Sequence, residues 1–228
     1  MASPAKQNGP IIVTLDGPAG VGKSTLSSRL AGELGIACLD TGAMFRAAAY
    51  ALGEGAWDWT QGILQQKLGD FDFSLRGSGT STELLLNGQP LPEEIRSEQT
   101  GNWASQLAVV PSVRAYMKMA QILLGQNTSL VAEGRDMGTV VFPQAAHKFF
   151  LDADPEERAR RRCRQLQGQN KPADYDTILA AIRQRDDLDR NRAIAPLKPA
   201  PDATTVDTTH LTEDQVLAEM LATIRAKG

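Results

Sequence analysis

The chain has 228 residues, 42% of them hydrophobic, and a formal charge of −3. That length suits one domain or one domain with inserts, and the composition is too apolar for a disordered chain. The acidic balance argues against a general nucleic-acid binder, whose footprint is basic overall, and no apolar run approaches the roughly 20 residues of a membrane helix.

Residues 1–10 are polar and lack the apolar stretch of a signal peptide, so a short flexible tail is expected. Two cysteines, Cys38 and Cys163, and two histidines, His147 and His210, offer neither a CxxC pair nor zinc-ligand spacing. Cys38 sits in an apolar run and reads as a small core residue. A reduced, cytoplasmic protein follows.

In chain order, Ile11-Ile12-Val13-Thr14-Leu15 is a β-branched run that predicts a buried strand. Residues 24–34 carry helical spacing, with Leu26, Leu30 and Leu34 on one face. Further strands are predicted at 36–39, 130–132, 148–151 and 204–206, with helical stretches between them and a last helix over 213–226. Short strands alternating with helices predict an α/β fold with a parallel sheet covered on both faces. Residues 71–91 break the rhythm: Phe71, Phe73 and Leu75 alternate, as do Leu84 and Leu86, between turn residues Gly77-Ser78-Gly79 and Asn87-Gly88. A small antiparallel insert between the second and third core strands is expected there.

Between the first strand and helix lies Gly17-Pro18-Ala19-Gly20-Val21-Gly22-Lys23-Ser24, a full match to G-x-x-x-x-G-K-[ST]. A chance match is on the order of 1% at ordinary residue frequencies, before the strand–helix context is counted. The glycines let backbone N–H groups turn onto phosphate oxygens, and the helix N-terminus adds partial positive charge. Lys23 is expected on the β- and γ-phosphates of a bound nucleotide, the Ser24 hydroxyl on Mg²⁺, and Thr25 beside them. GTP-binding switches also need N-K-x-D and D-x-x-G; Asn170-Lys171-Pro172 continues with Ala173, and no D-x-x-G occurs. A regulatory GTPase is therefore a poor fit.

Arginines gather at later strand ends. Asp40-Thr41-Gly42-Ala43-Met44-Phe45-Arg46 follows the second strand, with Thr41 a candidate helix cap and Arg46 a candidate phosphate fork. Glu133-Gly134-Arg135-Asp136-Met137-Gly138-Thr139 follows the third, where a surface salt bridge is as good a reading as a ligand site. Arg158, Arg161 and Arg162 share a helical face at i, i+3, i+4; a solvated basic face is the ordinary reading, phosphoryl transfer the sharper one. Arg185, Asp189 and Arg192 lie at i, i+4, i+7, able to converge on one ligand or to pair among themselves.

Taken together, Asp16-Gly17-Pro18 running into the glycine loop, Asp40-Thr41-Gly42-Ala43, the stretch 134–143 and Arg185-Asp186-Asp187 with Asp189-Arg190-Asn191-Arg192 closely resemble bacterial cytidylate kinases over nearly the whole chain after the tail. Phe45 stands where that family commonly has tyrosine, and Thr41 where some members have serine. The resemblance implies a nucleoside monophosphate kinase with a five-stranded parallel core, a single P-loop kinase domain over 11–228, an acceptor-binding insert near 62–98 and a helical lid near 156–172. It implies ATP and Mg²⁺ as donor and cofactor and CMP or dCMP as acceptor. From the acidic charge and the lack of a long apolar run no nucleic-acid or membrane partner is expected, and with no obvious sticky helix a monomer is expected. Thr41, Arg46, Ser105, Arg114, Arg135, Asp136, Arg185, Asp189 and Arg192 match the family's acceptor set, with Asp136, Ser105 and Arg114 at the base. Arg158, Arg161 and Arg162 match lid arginines acting with Lys23 and Arg135 in transfer. The remaining alternatives are another P-loop kinase (for uridylate, adenylate or a small anionic metabolite), a nucleotide-dependent switch, and an RNA-binding module, which conflicts with the acidic charge.

Overall fold

In the computed structural model, which describes residues 9–227, the first apolar run becomes β1 (Ile12–Asp16), and the glycine loop carries the chain into α1 (Lys23–Leu34). The expected tail lies outside the described residues except for its last two. β2 (Ala37–Asp40) and α2 (Thr41–Leu52) follow, then α3 (Gln61–Gly69), β3 (Phe73–Arg76), β4 (Glu83–Leu86) and β5 (Gln89–Pro90). α4 (Glu98–Leu107) and α5 (Pro111–Asn127) lead to β6 (Leu130–Gly134) and a single π-type turn over Met137–Val141. The chain closes with β7 (His147–Asp152), α6 (Pro155–Gly168), α7 (Tyr175–Asn191), β8 (Thr204–Asp207) and α8 (Glu213–Lys227).

Five strands pair in the order β2-β6-β1-β7-β8, all parallel, and three form a separate antiparallel sheet, β3-β4-β5. β1 is thus the centre, and the loop that follows it opens at the middle of the carboxyl edge, where open α/β sheets bind ligands. β6 is buried along its whole length, as expected of an interior parallel strand covered on both faces.

Two apolar cores flank the sheet. One joins α1 and α8 to the sheet through Leu26, Leu30, Val13, Leu15, Phe149, Val216 and Met220. Burying Leu26 and Leu30 contributes about 2 kcal/mol each. The other packs α2, α3, α4 and α5 through Met44, Leu64, Leu68, Leu107, Val113 and Met117.

Three local expectations change. Asp40, not Thr41, caps α2, its carboxylate accepting from the Ala43 N–H at 2.9 Å. Thr41 instead donates its hydroxyl to the Glu133 carbonyl at 2.7 Å, tying β2 to β6. On β4 the deepest residue is Leu85, with Leu84 and Leu86 half-buried against the core, so the alternation expected there does not mark a single buried face. Cys38 is half-buried, not core, and its thiol donates to the Ser27 hydroxyl at 3.5 Å.

The insert also covers the outer edge of β2. Gly79 N–H donates to the Ile36 carbonyl at 2.7 Å, and Cys38 N–H donates to the Thr82 hydroxyl at 3.1 Å. Both are backbone groups that an edge strand leaves open.

Candidate active site

The glycine loop is shaped by steric necessity. A Cβ on Gly17 would sit 2.2 Å from the Leu151 carbonyl oxygen, so only glycine lets the chain leave β1 past β7. Gly22 precedes α1 with φ 91°, a left-handed conformation that costs other residues energy. Lys23 is buried and donates to the Pro18 carbonyl at 2.6 Å, closing the loop on itself. Ser24 and Thr25 are exposed at the first turn of α1.

Around this loop the charges crowd. Burial first, then the nearby Arg135 guanidinium, drives the Lys23 ammonium well below its ordinary range. Burial, then Asp40, pushes the Glu133 carboxyl at the end of β6 up to about 7, while a hydrogen bond with the Ser24 side chain opposes this. Charges of both signs are thus buried side by side here, Lys23 near Arg135 and Glu133 near Asp40.

Several of the residues expected around an acceptor are joined by ion pairs. Arg135 Nε donates to Asp189 at 2.8 Å. Arg114 donates to Asp136 at 2.5 Å, and Arg192 Nη2 approaches the other oxygen of Asp136 at 3.4 Å without a hydrogen-bonded partner of its own. Asp136 is 6% exposed, so the expected alternative of a surface salt bridge does not hold. Arg192 lies just past the end of α7, not within it, and its Nε donates to the Ala195 carbonyl at 2.5 Å. Burial and its cationic neighbours lower both Arg192 and Arg46; Arg185 is pulled down to about 10, by desolvation first and then by Arg135. Arg46 is braced by the insert, donating to the carbonyls of Ile95 and Ser97 at 3.1 and 3.2 Å. Ser105 is exposed on α4 and donates to the Gly101 carbonyl one turn back at 3.0 Å.

Arg158, Arg161 and Arg162, three of the five arginines of α6, meet three different surroundings. Arg158 is 1% exposed: both oxygens of Asp186 take its guanidinium, Nε donates to Ala153 O at 3.0 Å and Nη1 to Ala19 O at 3.1 Å. It is a buried strut between α6, α7 and the glycine loop, not a free lid cation. Arg161 turns to the segment after β8, bonding the Thr208 hydroxyl and carbonyl and the Thr209 carbonyl. Arg162 is exposed, donates to the Gln165 side chain at 2.7 Å, and lies close enough to Arg46 to help lower it.

Several residues here carried no role in the sequence reading. Asp16, the last residue of β1, and Glu133, the last but one of β6, are buried charges at the carboxyl ends of core strands, a placement that a ligand or a buried partner explains. That signal was available. Asp186 and the Thr208–Thr209 segment carry none, because their partners lie tens of residues away in the chain.

A phosphate cradle at the central strand, opening on a cleft able to take a second anion, makes this a P-loop kinase. Comparison with known proteins narrows the class. The cytidylate kinase family model matches residues 13–226. Cytidylate kinase from Maridesulfovibrio salexigens is 61% identical over 202 residues, covering 89% of this chain and 91% of the relative. That from Oleidesulfovibrio alaskensis is 51% identical over 215 residues, covering 94% and 98%. The fold is also seen in an uncharacterized protein from Eubacterium ventriosum, with a TM-score of 0.50 at 11% identity over 94% of this chain and 98% of that one. The chain belongs to the cytidylate kinase family.

Proposed function

We propose that the chain transfers the γ-phosphate of ATP to CMP, and to dCMP, giving the diphosphate and ADP. The observation that carries this reading is Asp136: a buried carboxylate held between Arg114 and Arg192, beside a cleft of cations that includes Lys23. A carboxylate accepts from the exocyclic N4 amine of cytosine, and its four lone-pair positions leave room beyond the two arginines. Ser105 and Arg114 complete the base site; Thr41 stands beside it. Arg46, Arg135 and Arg192 hold the acceptor phosphate, and Asp189 with Arg185 the ribose.

The donor side is Gly17, Pro18, Ala19, Gly20, Val21, Gly22, Lys23, Ser24 and Thr25. Mg²⁺ suits the oxygens present: it takes one or two carboxylates, a hydroxyl, phosphates and waters. Ser24, hydrogen-bonded to Glu133, which in turn lies near Asp40, offers such a set. Among the described residues no three acidic, His or Cys side chains form a metal site of their own; the cation is expected to arrive with ATP. When bound it neutralises phosphate charge.

The nucleophile is an oxygen of the acceptor phosphate, whose second pKa of about 6 leaves it largely deprotonated at neutral pH, so no general base is needed. What the protein supplies is in-line positioning of two anions and the charge to let them meet. Arg158 acts by bracing the loop through Ala19 O, Arg161 by fixing the segment after β8, and Arg162 by closing over the acceptor from the lid, 156–172. The insert, 62–98, braces Arg46. Lid closure excludes water, which otherwise competes as acceptor. The enzyme works as a cytoplasmic monomer without nucleic-acid or membrane partners; among the described residues no single helix is long and apolar enough to cross a membrane.

The test is ADP formation from ATP and Mg²⁺ with CMP, dCMP, UMP, AMP or no acceptor. Strong turnover with the two cytidine nucleotides alone supports the reading; turnover with AMP, or with none of them, overturns it. Asp136→Ala is expected to lower kcat/KM for CMP at least tenfold more than for UMP, whose 4-oxo group cannot donate to a carboxylate. Equal losses remove Asp136 from base reading.

A further inference from the structure

Asp16 is the last residue of β1 and the residue immediately before the glycine loop, and it is 3% exposed. Its carboxylate does not face the donor phosphates' amides. It reaches across the carboxyl edge instead: Oδ1 accepts from the Met137 N–H at 2.9 Å, and Oδ2 from the Gly138 N–H at 2.8 Å. Those are the two amides that directly follow Asp136, and they open the π-type turn over Met137–Val141. Backbone amides at the start of such a turn have no partner within it, so a buried carboxylate that takes both defines where the turn begins.

The turn is seated with little slack. A Cβ on Gly138 would lie 2.9 Å from the Thr14 hydroxyl, 3.3 Å from Lys148 Cδ and 3.4 Å from Asp16 Oδ2, so the backbone there lies directly on β1 and β7. Upstream, Gly134 is in register with Asp16 itself. Arg135 and Asp136 are therefore two residues suspended between two fixed points, a strand pairing and a carboxylate clamp, both supplied by Asp16. The same residue's backbone launches the loop that grips the donor.

We propose that Asp16 is a positioning residue for phosphoryl transfer: its carboxylate sets the place of Asp136 and Arg135, and so of the acceptor, relative to the donor loop. This rests on the CMP kinase reading above. In-line transfer tolerates little error; a misplacement of about 1 Å costs up to ~100-fold in rate. Asp16 makes the distance between the two sites a property of one residue.

Asp16→Asn keeps one accepting oxygen but turns an NH₂ group towards an N–H; Asp16→Ala removes both acceptors. The expected series is a rise in KM for CMP with a fall in kcat, roughly tenfold in kcat/KM for Asn and 100-fold for Ala. The preference for CMP over UMP relaxes in the same order, and equilibrium binding of a fluorescent ATP analogue stays within about twofold of the wild type. A general structural role moves donor binding and acceptor kinetics together and leaves the base preference alone. The idea is overturned if CMP kinetics and base preference are unchanged in Asn, or if donor binding weakens as much as acceptor use. Where Ala does not fold, the Asn variant decides; where neither folds, Gly138→Ala, which presses on the same contact with Asp16 intact, must reproduce the CMP-selective loss or the proposal fails. Wild-type enzyme run alongside separates the two readings: without CMP turnover in the parent, it is the function and not the role of Asp16 that fails.

Discussion

Gly101, in the middle of α4, costs helix propensity of about 1 kcal/mol relative to alanine. The reason lies on α2, which packs against α4: a Cβ there would stand 2.9 Å from Arg46 Nη1 and 3.0 Å from Nη2. Since the obstructing atoms end a flexible side chain, Gly101→Ala should leave stability unchanged or up to about 1 kcal/mol higher. Its guanidinium displaced, the variant should show a KM for CMP raised several-fold with ATP binding unaffected. Thermal melts and steady-state kinetics on one preparation check both halves, and an unchanged KM sinks the argument.

Glu133 and Asp16 give the pH dependence a definite sign. Burial raises Glu133 from 4.5 to about 7 and Asp16 from 3.8 to about 6. Between those values the folded protein keeps protons that the unfolded chain has released. Stability of the ligand-free protein is thus whole below pH about 4 on their account, and is lost as pH rises through 6 to 7. Glu133→Gln should be more stable than wild type at pH 7, by about 3 kcal/mol at most, with the difference vanishing near pH 4.5. Urea melts at the two pH values measure it.

At the scale of elements, α6 shows what a sequence discloses and what it withholds. Heptad-like spacing placed Arg158, Arg161 and Arg162 on one side of a helix, but spacing says nothing of what each side meets. Asp186 lies 28 residues beyond Arg158, and Thr208 lies 47 beyond Arg161. By contrast the five core strands and the glycine loop were legible because each is a local pattern: a β-branched run, a turn, an apolar helical face. The residues expected around an acceptor came together as one set through family resemblance, since Arg135 and Asp136 lie far along the chain from Arg185, Asp189 and Arg192, whose spacing alone left self-pairing open. Removing one partner of a buried ion pair strands the other, at a cost of 3–5 kcal/mol. Asp186→Ala should therefore destabilise the fold by roughly 3 kcal/mol, and also weaken ATP binding, because Arg158 carries the strain to Ala19 O. A denaturation midpoint equal to wild type's contradicts this.

Across the whole molecule, a chain of net charge −3 still sets five of its 24 lysines and arginines close enough in one cleft to act on one another. The mutual repulsion of Lys23, Arg46, Arg135, Arg185 and Arg192 is a cost the empty protein carries. Anions at either subsite relieve it, and each should ease the binding of the next. Donor and acceptor analogues at 100 times their dissociation constants each stabilise by about 2.7 kcal/mol. That amounts to a rise in Tm of roughly 5–10 °C per ligand for a chain of this size. Added together they should raise Tm by at least the sum of the separate shifts, as differential scanning calorimetry can show; a smaller joint rise means the anions repel more than the cleft compensates.

The bonds from Gly79 and Thr82 to the rim of β2 bear on how freely this scaffold can be remodelled. The three-stranded insert looks like an appendage to trim or exchange when altering which nucleotide is accepted. It is also a cover, and a β2 stripped of it offers open amides and carbonyls to any neighbouring copy. Shortened versions should clump in concentrated solution even where their catalytic residues are untouched, so engineering the acceptor specificity of this enzyme is also a problem in colloidal stability.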